Sequence, residues 1–200
     1  MATDDLARVD WTGFELTPVH EADTDRLNSW QNAPEIRDLT MGFRGPVQPR
    51  TTREWVTTLQ DQTLKSRALF AIRVDGFIQG VAQLHSIDWL HRTAALGIYV
   101  GDTATRGSGL GLGATALVLD YGFNGLDLAR IGLEVLSENA SARRLYEKLG
   151  FRHEGTMRSA YHLAGIRQDV ERYAILATDD RAALPPEARR LVFARPESAI

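Results

Sequence analysis

Asp75-Gly76 stands between two strand-like runs, the mostly apolar "ALFAIRV" and the more mixed "FIQGVAQLHSI". An Asp-Gly pair in that setting specifies a tight hairpin, because both residues tolerate the positive φ that a two-residue turn demands. The runs therefore pair antiparallel. "TAALGIYV" makes a further strand, so the middle of the chain is committed to a sheet.

Helix spacing takes over on either side. "FELTPV" reads as a first strand, "EADTDRLNSWQN" as a helix with Leu27 and Trp30 on one face, and Pro34 as the first turn of a short helix, "PEIRDL". "TMGFRGPVQPR" is rich in glycine and proline and reads as a loop. Thr51 and Glu54 have capping-box spacing ahead of a helix, "WVTTLQDQTL". "LGATALVLDYGFN" is apolar almost all round, so it is a buried helix. A strand "RIGLEVL", a helix "NASARRLYEKLG" closed by Gly150, and a hairpin of "GTMRSAYHL" and "DVERYAILA" around Gly165 follow. The expectation is an α/β (α+β) chain, a mixed sheet with helices on both faces. One domain covers residues 1–177, and 178–200, with Pro185-Pro186, is a loosely docked extension.

The net charge is −3 over 200 residues, which gives no basic field for nucleic acid or an anionic membrane. With no cysteine, disulfides and thiolate chemistry are excluded. "MATDDLARVDW" is unlike a signal peptide, and no apolar stretch reaches the roughly 18 residues of a membrane helix, so the cytoplasm is the expected location.

"RGSGLGLGAT" lies between a strand and a helix and holds glycines at 107, 109, 111 and 113. A glycine turn leading into a helix amino terminus presents unpaired N–H groups and partial positive charge, which suits a phosphate. The P-loop pattern fails for want of a Lys-Ser or Lys-Thr pair. A relaxed dinucleotide fingerprint fits Gly109, Gly111 and Ala114, with Asp127 or Glu134 as the ribose carboxylate, though "GDTATR" separates it from the strand end. The acetyl-CoA pattern R/Q-x-x-G-x-G/A fits Arg106, Gly109 and Gly111. The loop alone leaves the two open.

A second motif separates them. "NASARRLYEKLGF" (139–151), together with the loop before it, resembles the two CoA-binding segments of the GNAT N-acetyltransferases, in the RimJ/RimL-like branch that includes spermidine acetyltransferases. The resemblance implies a mostly antiparallel twisted sheet of six to seven strands. It implies an enzyme that moves an acetyl group from acetyl-CoA to a primary amine by direct attack in a ternary complex. The acceptor would be a small molecule such as a polyamine or amino sugar, or a protein amino terminus. Tyr146 would protonate the leaving sulfur, and backbone groups from Ile98 to Val100 would hold the pantetheine arm. The N–H groups of Gly107, Ser108, Gly109, Leu110 and Gly111 would take the pyrophosphate with Arg106, a side chain on Gly109 or Gly111 would block it, and Asn139 would bond the cofactor or its bound water, with a helix cap as its plainer reading. No metal is required, and a homodimer is expected.

The chain departs from that pattern at Ala95, where many relatives carry a glutamate that handles the amine. Glu35, His85, Asp88 and His91 are the substitutes considered, with solvated turn or helix positions as their plainer reading. Arg143, Arg144 and Lys148 read as a solvated helix face, the alternative being that one of them reaches a CoA phosphate, and Trp30 and Phe43 as either acceptor lining or core. Two other functions remain in view: a non-catalytic acyl-CoA-binding domain, because of Ala95, and a dinucleotide-dependent oxidoreductase.

Overall fold

The structure, a computed structural model, describes residues 5–42, 45–61, 65–102, 105, 107–163 and 165–188. After β1 (Phe14–Thr17) and a 3-10 turn come three helices, α1 (Thr24–Asn32), α2 (Pro34–Arg37) and α3 (Pro49–Asp61). The expected hairpin follows as β2 (Arg67–Val74) and β3 (Phe77–Asp88), and then β4 (Thr93–Val100). Next are α4 (Leu110–Asp120), β5 (Arg130–Leu136), α5 (Ala140–Lys148), β6 (Arg152–Leu163) and β7 (Ile166–Leu176). All seven strands join one sheet in the order β1-β2-β3-β4-β5-β7-β6. Every neighbouring pair is antiparallel except β4 with β5.

Alternation along the strands sorts the core into two layers. Phe70, Leu84, Leu96 and Leu133 face α4 and α5, where Leu117 and Leu149 are buried. Ala71 and Val81 face the other way, under Leu27 and Trp30 of α1, Ile36 of α2 and Val56 of α3. Trp30 is thus core. Its ring lies on the backbone at the end of β4, where a Cβ on Gly101 would fall 2.0 Å from a ring carbon. Arg26, one turn earlier, covers the same ring at 5.2 Å and reaches Asp102 at 3.2 Å.

Two expectations change. α3 begins at Pro49, a residue suited to a first helical turn, so Thr51 and Glu54 lie inside the helix and do not cap it. Residues after Thr178 are not loosely held as far as they are described: Leu184 and Ala188 are buried in the larger core, and Arg181 stacks 4.4 Å from the Phe123 ring. At the other end of the sheet, Glu171 of β7 accepts hydrogen bonds from Ser137 and Thr156, each at 2.6 Å, and pairs with His153 at 2.6 Å. The two hydroxyls, then His153, bring its carboxyl down to about 2.

Candidate active site

β4 and β5 run together for three residues only, Thr93, Ala94 and Ala95 against Arg130, Ile131 and Gly132. Beyond that point the strands part. The edge of β4 from Leu96 to Val100 then borders a cleft of about 1500 Å³ instead of a neighbouring strand.

The amino terminus of α4 opens on this cleft. Among the described residues its first backbone bond runs from the Gly113 N–H to the Gly109 carbonyl at 2.9 Å, and the N–H groups of Leu110, Gly111 and Leu112 find no helical acceptor there. Gly109 caps the helix in the left-handed region at φ 87°. A Cβ on Gly111 would fall 3.3 Å from Leu145 and 3.8 Å from Val100, two residues of the cleft wall. On Gly109 it would meet Val9 at 3.3 Å, so Gly109 contributes its backbone conformation and does not keep space clear for a ligand. Ser108 does not line the cleft; its hydroxyl donates to the Thr105 carbonyl at 2.7 Å. Arg106 lies outside the described residues.

α5 supplies the opposite wall. Asn139 is its amino-terminal cap: Oδ1 accepts from the Ala142 N–H at 3.2 Å and the Ser141 hydroxyl at 3.0 Å, while Nδ2 donates to the Leu39 carbonyl at 3.3 Å. One helical face then brings Ala142 and Tyr146 to the cleft. Tyr146 is buried, edge-on to Phe151, and its hydroxyl has no hydrogen-bond partner among the described residues. Burial pushes its pKa up to about 12, so the phenol keeps its proton at neutral pH and has one to give. Of the basic residues expected to be solvated, Arg144 and Lys148 line the cleft, and Lys148 also pairs with Asp5 at 3.2 Å. Arg143 turns instead to the Ser137 carbonyl at 3.1 Å.

On the face beneath α1 and α3, one row of the sheet reads Arg67, His85, Ala95, Gly132 across four strands. His85 is half-buried there, with Nδ1 3.2 Å from the Ser86 hydroxyl. Burial and then the charge of Arg67 lower its pKa, against an opposing pull from Glu134, so the neutral imidazole is favoured. Asp88 and His91 do not join it. Ser86 takes a φ of 51°, the pairing slips between His85 and Asp88, and Asp88 ends up exposed on the turn, where it accepts the His91 N–H at 2.9 Å. Glu35 is exposed on α2 and does not line the cleft, and Phe43 lies outside the described residues. Arg67 stands one residue before the apolar run that begins at Ala68, so the run by itself does not point to it. Extending its period one step back, to 67, 69, 71 and 73, puts Arg67 on the same face as Leu69.

A family model described as the acetyltransferase (GNAT) domain matches residues 14–152. The chain belongs to the GNAT acetyltransferase family. It is 33% identical over 132 residues to a probable N-acetyltransferase of Bacillus subtilis, covering 64% of this chain and 72% of the relative. It is also 33% identical over 111 residues to the spermidine N(1)-acetyltransferase of Escherichia coli K12, covering 56% and 59%. The structure of a Vibrio cholerae spermidine N-acetyltransferase in complex with CoA and spermine superposes with a TM-score of 0.75 at 26% identity, over 82% of this chain and 96% of that one. As a GNAT enzyme, the chain transfers acetyl from acetyl-CoA to an amine. This overturns the oxidoreductase reading, and of the residues behind that reading only Gly109, Gly111 and Glu134 line the cleft. Ala114 is buried in the core, and Asp127 is exposed and paired with Arg92. The cleft suits acetyl-CoA in what it offers: unpaired N–H groups at one end, cations on the rim and an open strand edge between.

Proposed function

We propose that this GNAT enzyme acetylates the primary amine of a small molecule, with the acyl donor lying in the cleft between β4 and β5. The observation that carries this reading is the parting of those strands beneath the amino terminus of α4, with the protonated Tyr146 on the same cleft. The N–H groups of Leu110, Gly111 and Leu112 would hold the pyrophosphate, helped by Arg144 and Lys148. The open edge of Ile98 to Val100 would bond the amides of the pantetheine arm. Bound acetyl-CoA supplies an activated thioester. The enzyme's part is then to hold a neutral amine beside it, and such placement is worth about 7–11 kcal/mol. Tyr146 would give its proton to the sulfur as the acetyl group departs. The named activities of the spermidine relatives support a small amine as acceptor.

The test is thiol release with Tyr146→Phe over a panel of primary amines. The expected result is retained acetyl-CoA affinity with kcat lower by about 10²-fold, the low end for general acid catalysis. Turnover at the parent rate would make Tyr146 a packing residue and reject the assignment.

A further inference from the structure

Six ionisable side chains line the cleft around the row that contains Ala95: Arg67, His85, Arg130, Glu134, Glu154 and Arg172. Both carboxylates are already engaged. Arg130 grips Glu154 with two hydrogen bonds, one of 2.7 Å, and Arg172 approaches Glu134 at 3.5 Å. Arg67 has no carboxylate partner among the described residues. Ala95, in the same row, supplies no counter-charge, and His85 between them favours its neutral form. A polycation in this part of the cleft would meet an uncompensated guanidinium and no carboxylate outside an ion pair.

We propose that the acceptor is a small amine that also carries an anion, a carboxylate or a phosphate, and that Arg67 binds the anion. This deepens the function proposed above and rests on it. Adjacent strands lie about 4.8 Å apart, so Arg67 on β2 starts roughly 10 Å from the point on β4 where the cleft opens. A guanidinium side chain extending over His85 shortens that span to the length of a compact amino acid or aminoalkyl phosphate. Its planar fork suits either anion, each of which can accept two parallel hydrogen bonds. His85 offers one further neutral donor or acceptor beside the anion.

The experiment uses the full chain, acetyl-CoA and thiol release. The amines are glycine, β-alanine and 4-aminobutyrate, each against its amide, then phosphoethanolamine against ethanolamine, and spermidine. The expected result is a kcat/KM for at least one acid about tenfold or more above its uncharged partner, the value of one charge-assisted hydrogen bond. Arg67→Gln brings that ratio close to one, and Arg67→Lys restores part of it, which separates anion binding from a general loss of structure. A best substrate among the carboxylates, or phosphoethanolamine, identifies which anion is used. Amides or spermidine turned over as well as the acids, or a ratio that Arg67→Gln leaves unchanged, overturns this inference and leaves the acetyltransferase reading intact. Acetyl-CoA binding without turnover of any amine, spermidine included, overturns both.

Discussion

Gly109→Ala tests whether the start of α4 is the seat of the cofactor's phosphates. An L-residue held in the left-handed region costs about 1–2 kcal/mol, and Gly109 has a φ of 87°. The new methyl falls 3.3 Å from Cγ2 of the buried Val9, a contact that a side-chain shift of a few tenths of an ångström relieves. Backbone strain is therefore the larger part. For a chain of this size it lowers the melting temperature by about 2–8 °C. Any relaxation toward negative φ turns the peptide planes on either side of residue 109, and with them the N–H groups that face the cleft. Losing one hydrogen bond to a charged group weakens acetyl-CoA binding by about 10- to 100-fold. Gly107→Ala is the control for packing, since it carries the same strain at φ 85° with no atom within 4 Å of the new methyl. Thermal melts and titration calorimetry read both effects. A Gly109→Ala protein that melts lower but binds acetyl-CoA like the parent would remove this helix end from the cofactor site, and an unchanged melt would refute the strain.

Two further outcomes are expected. With Glu35 and Asp88 outside the cleft, kcat/KM should rise with pH toward the solution pKa of each amine and shift when the amine is changed. An apparent pKa below 6.5 shared by two amines and abolished by His85→Gln would instead make the half-buried His85 the proton acceptor. Glu171→Ala leaves the hydroxyls of Ser137 and Thr156 without their acceptor and should cost about 1–3 kcal/mol near neutral pH. Because the folded carboxyl titrates near 2, below its ordinary value of 4.5, its stabilisation is full above the unfolded value and is lost as pH falls toward 2. Parent and variant melts should converge over that interval, and a gap independent of pH would refute the argument.

The order of elements was legible because local chemistry wrote it: the Asp-Gly turn, the period-2 runs and the glycine junction ahead of an apolar helix. What the sequence withheld was register. His85 and Asp88 stand in one strand run, and the structure places the first on the cleft wall and leaves the second exposed at the strand's end, bonded to the His91 N–H. The same limit hid Arg67, whose place beside His85 and Ala95 is made by pairing across three strands. At Ser108 the sequence could not say what the hydroxyl does: a serine after glycine can face a ligand or close its own turn, and here it bonds the Thr105 carbonyl. Asn139 could be read in two ways, and the cap is what the structure displays.

The contact of Trp30 with the Gly101 backbone joins two parts of the molecule that a diagram would keep separate. Gln31, the next residue of α1, belongs to the cleft wall, while Gly101 and Asp102 begin the segment that leads to Gly107 and Gly109. The indole therefore works as a strut between the helix that walls the cleft and the backbone that leaves the end of β4. The Arg26–Asp102 pair, exposed on its arginine side, adds direction more than strength. Neither half can shift by the thickness of a methyl group unless the ring tilts, and any side chain at position 101 would prise the two apart.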